Sequence, residues 1–263
     1  MIEIDIEFVK SIASEAGARA IAMQNAMTPE LKVDNSYVTN IDRETEQFVR
    51  RRLEERYPDF AFLGEEFGRH GSDDAPLWAV DPIDGTTNMV FNIPIWCVSI
   101  GLIYQGEAIA GVIYMPCTNE LFWGVKGQGA FCNGVRLETK DRAELHPEDT
   151  LGFTSGAIKR METSLLTGRL RCLGSIAADI AYTARGTLCS LVGWNEGAYD
   201  MAAALCMAKE AGCVAEHLNG EPLDLGRTLR EGKTHAPFVV APPNLARFLQ
   251  ENIQMRVPLG AKE

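Results

Sequence analysis

Two aspartates three apart, Asp81 and Asp84, follow an apolar run, Leu77-Trp78-Ala79-Val80. The run reads as a short buried strand. Pro82 fixes its own φ and removes an amide hydrogen, so the chain turns there in a set way. Gly85 permits a backbone geometry, or a close ligand approach, that a Cβ would hinder. Thr86, Thr87 and Asn88 are residue types that begin helices. The stretch therefore reads as strand, tight turn with two carboxylates, helix start. Carboxylates at the end of a buried strand repel each other and lose hydration, so they need a cation or a proton. A helix start beside them offers free amides to an anion. Hard oxygen ligands next to an anion cradle are what a magnesium-dependent phosphoryl site requires. A plainer use exists for a lone D-x-x-D, with Asp81 capping a turn and Asp84 capping the helix. The full run D-P-I-D-G-T-T-N is far more specific.

Three other acidic positions have plain readings of their own. Asp42 starts a helix, where it would act as a helix-start acid in a capping box with Thr39. Glu65 and Glu66 follow the short strand Phe60-Ala61-Phe62-Leu63 and, taken alone, read as a solvated loop. Asp200 stands in the first turn of a small-residue helix, where it would satisfy free amides and the helix dipole. His70, His146, His217 and His235 are far apart and fit no metal motif. No G-x-x-x-x-G-K-[ST] run is present, which argues against an NTPase.

The run Asp81 to Asn88 resembles the first signature of the inositol monophosphatase family, magnesium-dependent and lithium-sensitive phosphatases. Tyr199-Asp200-Met201-Ala202-Ala203, closed by Glu210-Ala211-Gly212, resembles the second, with Tyr199 where the family usually has Trp. Val38-Thr39-Asn40-Ile41-Asp42 is similar to its V-T-x-x-D pattern, and Gly64-Glu65-Glu66 to its G-E-E. The matches span most of the chain in the family's order. The resemblance implies a layered αβαβα sandwich of the inositol monophosphatase / fructose bisphosphatase type. It assigns one Mg²⁺ to Glu65, Asp81 and the Ile83 carbonyl, and a second to Asp81, Asp84 and Asp200. A third, weaker ion would share Glu65. Thr86 with Asp42 would orient the attacking water, and the amides of Gly85 and Thr86 would hold the phosphate.

The resemblance also implies that Gly174, Ser175 and Ile176, a Gly-Thr-Ala-like element, contact the sugar along with Asp84 and Asp200. Ile176 is bulkier than usual and narrows the pocket. Inositol-selective members carry a Glu seven residues before the last metal Asp, and Gly193 stands there. Glu196 is the substitute, and a missing carboxylate alters selectivity for ring hydroxyls. The expected substrate is inositol monophosphate or a related sugar phosphate. Histidinol phosphate, whose amine would want an acid such as Glu196, and fructose 1,6-bisphosphate are the alternatives. A different class is a catalytically silent metal-binding or interaction protein, which intact acids at every matched position argue against.

Bulk properties set the frame for this chemistry. The chain has 263 residues, 46% of them hydrophobic, enough for a sizeable core in one large domain or two closely packed ones. A formal net charge of −11 argues against nucleic-acid or anionic-membrane partners. It does not oppose a small phosphorylated substrate, because metal ions reverse the sign locally. Seven scattered cysteines and an N-terminus bearing Glu3, Asp5, Glu7 and Lys10 point to reduced thiols in a cytoplasmic protein. A homodimer is expected from the resemblance alone.

The elements that must position the acids can be read by periodicity. Asp5 to Met27 and Asp42 to Tyr57 read as amphipathic helices. Ile95–Tyr104, Ala108–Met115, Leu121–Val125 and Ala130–Asn133 read as antiparallel hairpin strands. This makes residues 1–145 an α+β domain. Residues 146–263 alternate in α/β fashion: strands 151–154, 169–173, 188–192, 214–217 and 238–241, with helices 176–185, 200–211 and 244–253. The active site is expected between the two.

Overall fold

The computed structural model describes residues 2–256. Met1 and residues 257–263, the outer ends of the two expected domains, lie outside the described residues. Asp5 accepts the Phe8 amide and starts α1 (Ile6–Met23), which buries Val9, Ile12, Ala13, Ala16, Gly17 and Ala20. A 3₁₀ turn, Gln24–Ala26, carries the expected helix on by one more turn in altered form. The polar stretch that follows, to which periodicity assigned no element, holds a hairpin of β1 (Pro29–Leu31) and β2 (Tyr37–Thr39). Thr39 then caps α2 (Asn40–Arg56) in a capping box whose other half is Asp42.

The first sheet has eight strands: β3 (Ala61–Gly64), β4 (Gly68–His70), β5 (Leu77–Asp84), β6 (Cys97–Tyr104), β7 (Glu107–Met115), β8 (Glu120–Val125), β9 (Gly129–Cys132) and β10 (Val135–Arg136). From β6 onward the pairings are antiparallel, as the hairpin spacing predicts, whereas β3 runs parallel to β5. β5 continues through both aspartates, with an irregularity in its pairing to β6 between Asp81 and Asp84. Gly85, at φ +101°, ends it and leads into the short α3 (Thr86–Val90).

The second half adds β11 (Thr150–Phe153), α4 (Ser155–Ile158), β12 (Met161–Glu162), β13 (Arg169–Arg171), α5 (Ile176–Arg185), β14 (Ser190–Gly193) and α6 (Ala198–Glu210). It closes with β15 (Val214–His217), α7 (Leu225–Glu231), β16 (Phe238–Ala241), α8 (Pro243–Asn252) and β17 (Gln254–Met255). The five-stranded sheet, ordered β13-β11-β14-β16-β15, is mixed. β11 pairs in parallel with β13 and β14, while β16 is antiparallel to both its neighbours.

Side-chain alternation along the strands builds the layers. Trp78, Val80, Val98, Ile100 and Leu102 face α1 and α2. Leu77, Ala79, Cys97 and Ile113 face α5 and α6, which also receive Leu191, Phe238 and Val240 from the second sheet. Val192, Val239 and Ala241 face α8. The order is helices, sheet, helices, sheet, helices, an αβαβα sandwich. Its middle helix layer serves both sheets, and that layer carries Ser175 and Asp200.

Candidate active site

Asp81 and Asp84 stand at the C-terminal end of β5, at 3% and 7% exposure. The Asp81 Oδ1 accepts the Ile83 amide at 2.9 Å. The Asp84 Oδ2 accepts the Ser175 hydroxyl and the Ala177 amide, both at 2.6 Å. β5 is thereby tied to the start of α5, across 91 residues of sequence. Asp200 is the third residue of α6 and accepts the Gly197 amide at 2.6 Å. That bond is the helix-start role of the plain reading, and the same side chain also lines a cavity.

Asp42 joins this group from α2. Its Oδ2 takes the Thr39 amide and hydroxyl, and its Oδ1 accepts from Thr86 Oγ1 at 2.7 Å. The Thr86 hydroxyl also lies 3.0 Å from the Ile83 carbonyl. Capping and a tertiary bond are thus two uses of one carboxylate. Glu65 follows β3, and its Oε1 meets the Lys32 Nζ at 2.8 Å, while Glu66 meets it at 2.6 Å. Lys32 reaches them from the turn between β1 and β2.

The acids act on one another. Burial, then the Glu65, Asp84 and Asp200 charges, push Asp81 well above the usual carboxylate range. Burial, then Glu196, Glu65 and Asp84, do the same to Asp200. Burial raises Asp84 to about 6 against the pull of its Ser175 and Ala177 donors. Asp42 is raised too, chiefly by burial.

Among the described residues no three His, Cys, Asp or Glu groups are gathered as a ready-made metal cage. Each carboxylate instead holds a protein donor. The donor set still fits a hard divalent cation, because every candidate ligand is oxygen and the mutual repulsion is what such a charge relieves. The Cys97 thiol lies 3.9 Å from Asp84 Oδ2 and is held far above its usual pKa by burial and the Asp84 charge, so no thiolate nucleophile is present there.

A cavity of about 220 Å³ opens beside Asp84 and Asp200 and is lined by Gly174, Ser175, Ile176 and Glu196. All six residues expected to contact substrate therefore line one cavity. Gly174, at φ +84°, sits with its absent Cβ about 3 Å from the Asn88 side chain, whose amide donates to the Leu173 carbonyl at 2.7 Å.

Four lining residues were not anticipated: Thr154, Ser155, Gly156 and Asp179. The first three precede or begin α4, a helix too short to show periodicity. Asp179 sits inside α5, where a sequence pattern gives an acid no special status. Two residues nearer the expected metal ligands were also missed. Lys32 lies in the polar stretch between the first two helices. Glu46, a mid-helix residue of α2 given no role above, is fully buried and accepts the Glu66 amide at 2.7 Å and the Phe67 amide at 3.0 Å. A Cβ at Gly64 would overlap the Glu46 carboxyl, so that glycine was the one available signal.

These buried acids predict a pH dependence. Burial raises Glu46 to about 7 and Glu196 to about 7, and it raises Asp179 to about 8 with help from Asp84. A folded-state pKa above the unfolded one gives stability that is complete below the unfolded value. It is lost as pH rises through the folded value. Each pKa unit corresponds to about 1.4 kcal/mol. Chelator-treated protein should therefore unfold at progressively lower temperature from pH 5 to pH 8. A thermal midpoint that is flat or rises over that range would contradict this.

Comparison with known proteins places this geometry among relatives. The profile of the inositol monophosphatase family matches residues 1–253. A Rhizobium meliloti protein named inositol-1-monophosphatase is 32% identical, covering 98% of this chain and 96% of its own length. An Aquifex aeolicus protein named fructose-1,6-bisphosphatase/inositol-1-monophosphatase is also 32% identical, over 80% of this chain and 83% of its own. The crystal structure of the extragenic suppressor protein suhB from Bartonella henselae superposes with a TM-score of 0.81 at 29% identity, covering 94% of this chain and 97% of that one.

Proposed function

The chain belongs to the inositol monophosphatase family, metal-using hydrolases of phosphate monoesters, and from this premise we propose a Mg²⁺-dependent phosphatase acting on inositol monophosphate or a related small sugar phosphate. The observation that carries the reading is the bond from Thr86 to Asp42 beside the paired acids of β5. Glu65, Asp81 and the Ile83 carbonyl would hold one ion, and Asp81, Asp84 and Asp200 a second. When bound, the ions supply Lewis acidity, making water a better nucleophile and stabilising charge on the departing alcohol oxygen.

The chain's own residues do the rest. Asp42 fixes the rotamer of Thr86, and the two together orient a water toward the phosphorus. The amides of Gly85 and Thr86 hold the phosphate oxygens. Because α3 has only five residues, the support comes from those local N–H groups rather than from a helix dipole. Gly174, Ser175, Ile176 and Glu196 would face the alcohol. The reading includes two domains, 1–145 and 146–263, with the site between them. Acids contributed by β5 on one side and α6 on the other support it. Inhibition by Li⁺ and a homodimer belong to the same reading. No described helix is long and apolar enough to cross a membrane.

A phosphate-release panel tests the proposal. It holds myo-inositol 1-phosphate, histidinol phosphate, fructose 1,6-bisphosphate and 3′-phosphoadenosine 5′-phosphate, each with and without Mg²⁺. At least one of the first three should be hydrolysed about tenfold faster or more with the metal. Fructose 1,6-bisphosphate has the added support of the Aquifex relative's double name. Preference for the nucleotide would overturn the substrate branch. No Mg²⁺-stimulated release from any ester would leave the non-catalytic, metal-binding reading.

A further inference from the structure

The turn that carries Glu65 is short and is held from outside. Gly64 pairs with Gly68 across β3 and β4, so Glu65, Glu66 and Phe67 make up the whole turn between them. The Glu65 amide donates to the carbonyl of Val80, the residue before Asp81, at 3.3 Å. The other two amides both donate to Glu46, that of Glu66 to Oε2 at 2.7 Å and that of Phe67 to Oε1 at 3.0 Å. β5 thus takes one amide of the turn and α2 takes two. Gly64 is fitted to the same contact. A Cβ there would stand 1.8 Å from Glu46 Oε1, and its three nearest atoms would all belong to that carboxyl. Filling the space under β3 does not require an acid. Glu46 is fully buried beside two other glutamates, and Lys32 pairs with those two instead. Burying a carboxylate on such terms is costly. What it alone supplies is two acceptor oxygens for two successive amides. A Gln would supply one and aim its NH₂ at an N–H group.

We propose that Glu46 is a positioning residue for the metal centre. By holding both amides that follow Glu65, it fixes the direction in which the Glu65 carboxylate leaves the backbone. It thereby sets the affinity for the ion that Glu65 shares with Asp81 and the Ile83 carbonyl. The inference rests on the role given to Glu65 in the phosphatase reading above. Glu46 turns its oxygens to the turn amides, so it acts through Glu65 and is not itself a ligand. The ion of Asp81, Asp84 and Asp200 takes no ligand from the turn, so the two ions should respond differently to a change at Glu46. Partners of this kind, which orient a ligand without touching the metal, typically alter affinity by about 10–100-fold when removed.

The test titrates the protein with Mn²⁺ alone, without substrate, and follows the loss of the free ion's electron paramagnetic resonance signal. Glu46→Gln should raise the dissociation constant of one Mn²⁺ by about tenfold or more, while any other Mn²⁺ that the wild-type protein binds stays within about threefold. Activity lost at low Mg²⁺ should return mostly as Mg²⁺ is raised. Gly64→Ala keeps the acid but pushes its carboxyl off the turn, so it should weaken the same ion. Added to Glu46→Ala it should cost less than about threefold more, because the atoms its Cβ would strike are gone. These variants carry the test even where Glu46→Gln does not fold. An unchanged Mn²⁺ affinity, an equal loss at every bound Mn²⁺, or additive losses at Gly64 and Glu46 would each overturn the proposal. If Mn²⁺ binding shifts as expected but the wild type hydrolyses no ester, the phosphatase reading falls and the positioning role stands. If the wild type hydrolyses an ester with Mg²⁺ and the variants bind Mn²⁺ as it does, the positioning role falls and the phosphatase reading stands.

Discussion

Replacing Asp84 with Asn should lower kcat for Mg²⁺-dependent phosphate release by about a thousandfold or more, equivalent to about 4 kcal/mol of transition-state stabilisation. The protein should still fold. Asp84 is buried, and its Oδ2 accepts Ser175 and Ala177 at 2.6 Å each. An Asn side chain has the same shape and can turn its oxygen to the same two donors. It lacks the charge and presents an NH₂ donor in place of the other oxygen. Burial already holds the Asp84 pKa up at about 6, so a neutral group there relieves a desolvation cost. The variant's chelator-treated thermal midpoint should therefore equal or exceed that of the wild type at pH 8. Its stabilisation by added Mg²⁺ should shrink sharply. Loss of activity with the Mg²⁺ shift intact would move Asp84 away from the metal, and a wild-type kcat would remove it from the reaction.

The parts of this site that could be read from sequence are those whose signal is local. D-P-I-D-G-T-T-N announces itself because the strand end, the turn and both acids lie within eight residues. The bounds of α5 came out as expected, Ile176 to Arg185, because Ser175 caps one end and Gly186 in the left-handed region closes the other. β5 was underestimated. A Pro between two acids reads as the end of a strand, yet β6 keeps pairing with it across an irregularity as far as Asp84.

The residues that were missed get their roles from contacts distant in sequence. Lys32 lies on a hairpin whose first strand is wholly exposed, so no alternation marks it, and its partners are more than 30 residues away. Glu46 sits 20 residues before the Glu66 amide it accepts, and mid-helix glutamates ordinarily face water. Asp179 lies on a largely apolar helix, where its burial is visible only once α5 is packed between two sheets. In each case the residue type is informative only after the fold has removed its water. α2 shows the consequence for function. One turn apart it carries Asp42, which fixes Thr86, and Glu46, which holds the loop after Glu65, so one rigid helix sets two sides of the site.

The consecutive alanines of α6 let it pack close, and the surface opposite Ala202 and Ala203 is two glycines. Gly101 and Gly111 are directly paired across β6 and β7. A Cβ at Gly111 would stand 2.5 Å from the Ala203 Cα and closer still to its carbonyl oxygen. One at Gly101 would stand 2.6 Å from the Ala203 nitrogen. Ala for Gly inside a strand ordinarily stabilises by about 0.5–1 kcal/mol. At Gly111 the sign should reverse. The obstacle is helix backbone, which cannot rotate aside as a side chain can, so α6 must lift from the sheet. Overpacking of this kind costs about 1–3 kcal/mol and at times more, and the upper end applies where the clash is with main chain. For a chain of this size, about 3 kcal/mol lowers the thermal midpoint by roughly 6–12 °C. Ala203→Gly should not rescue Gly111→Ala, because the atoms struck belong to the Ala203 backbone. Since α6 begins with the turn that holds Asp200, surviving protein should also need more Mg²⁺ for half-maximal activity. An unchanged or raised midpoint in Gly111→Ala would show that the helix can yield without cost. The seat of Asp200 would then not depend on this contact.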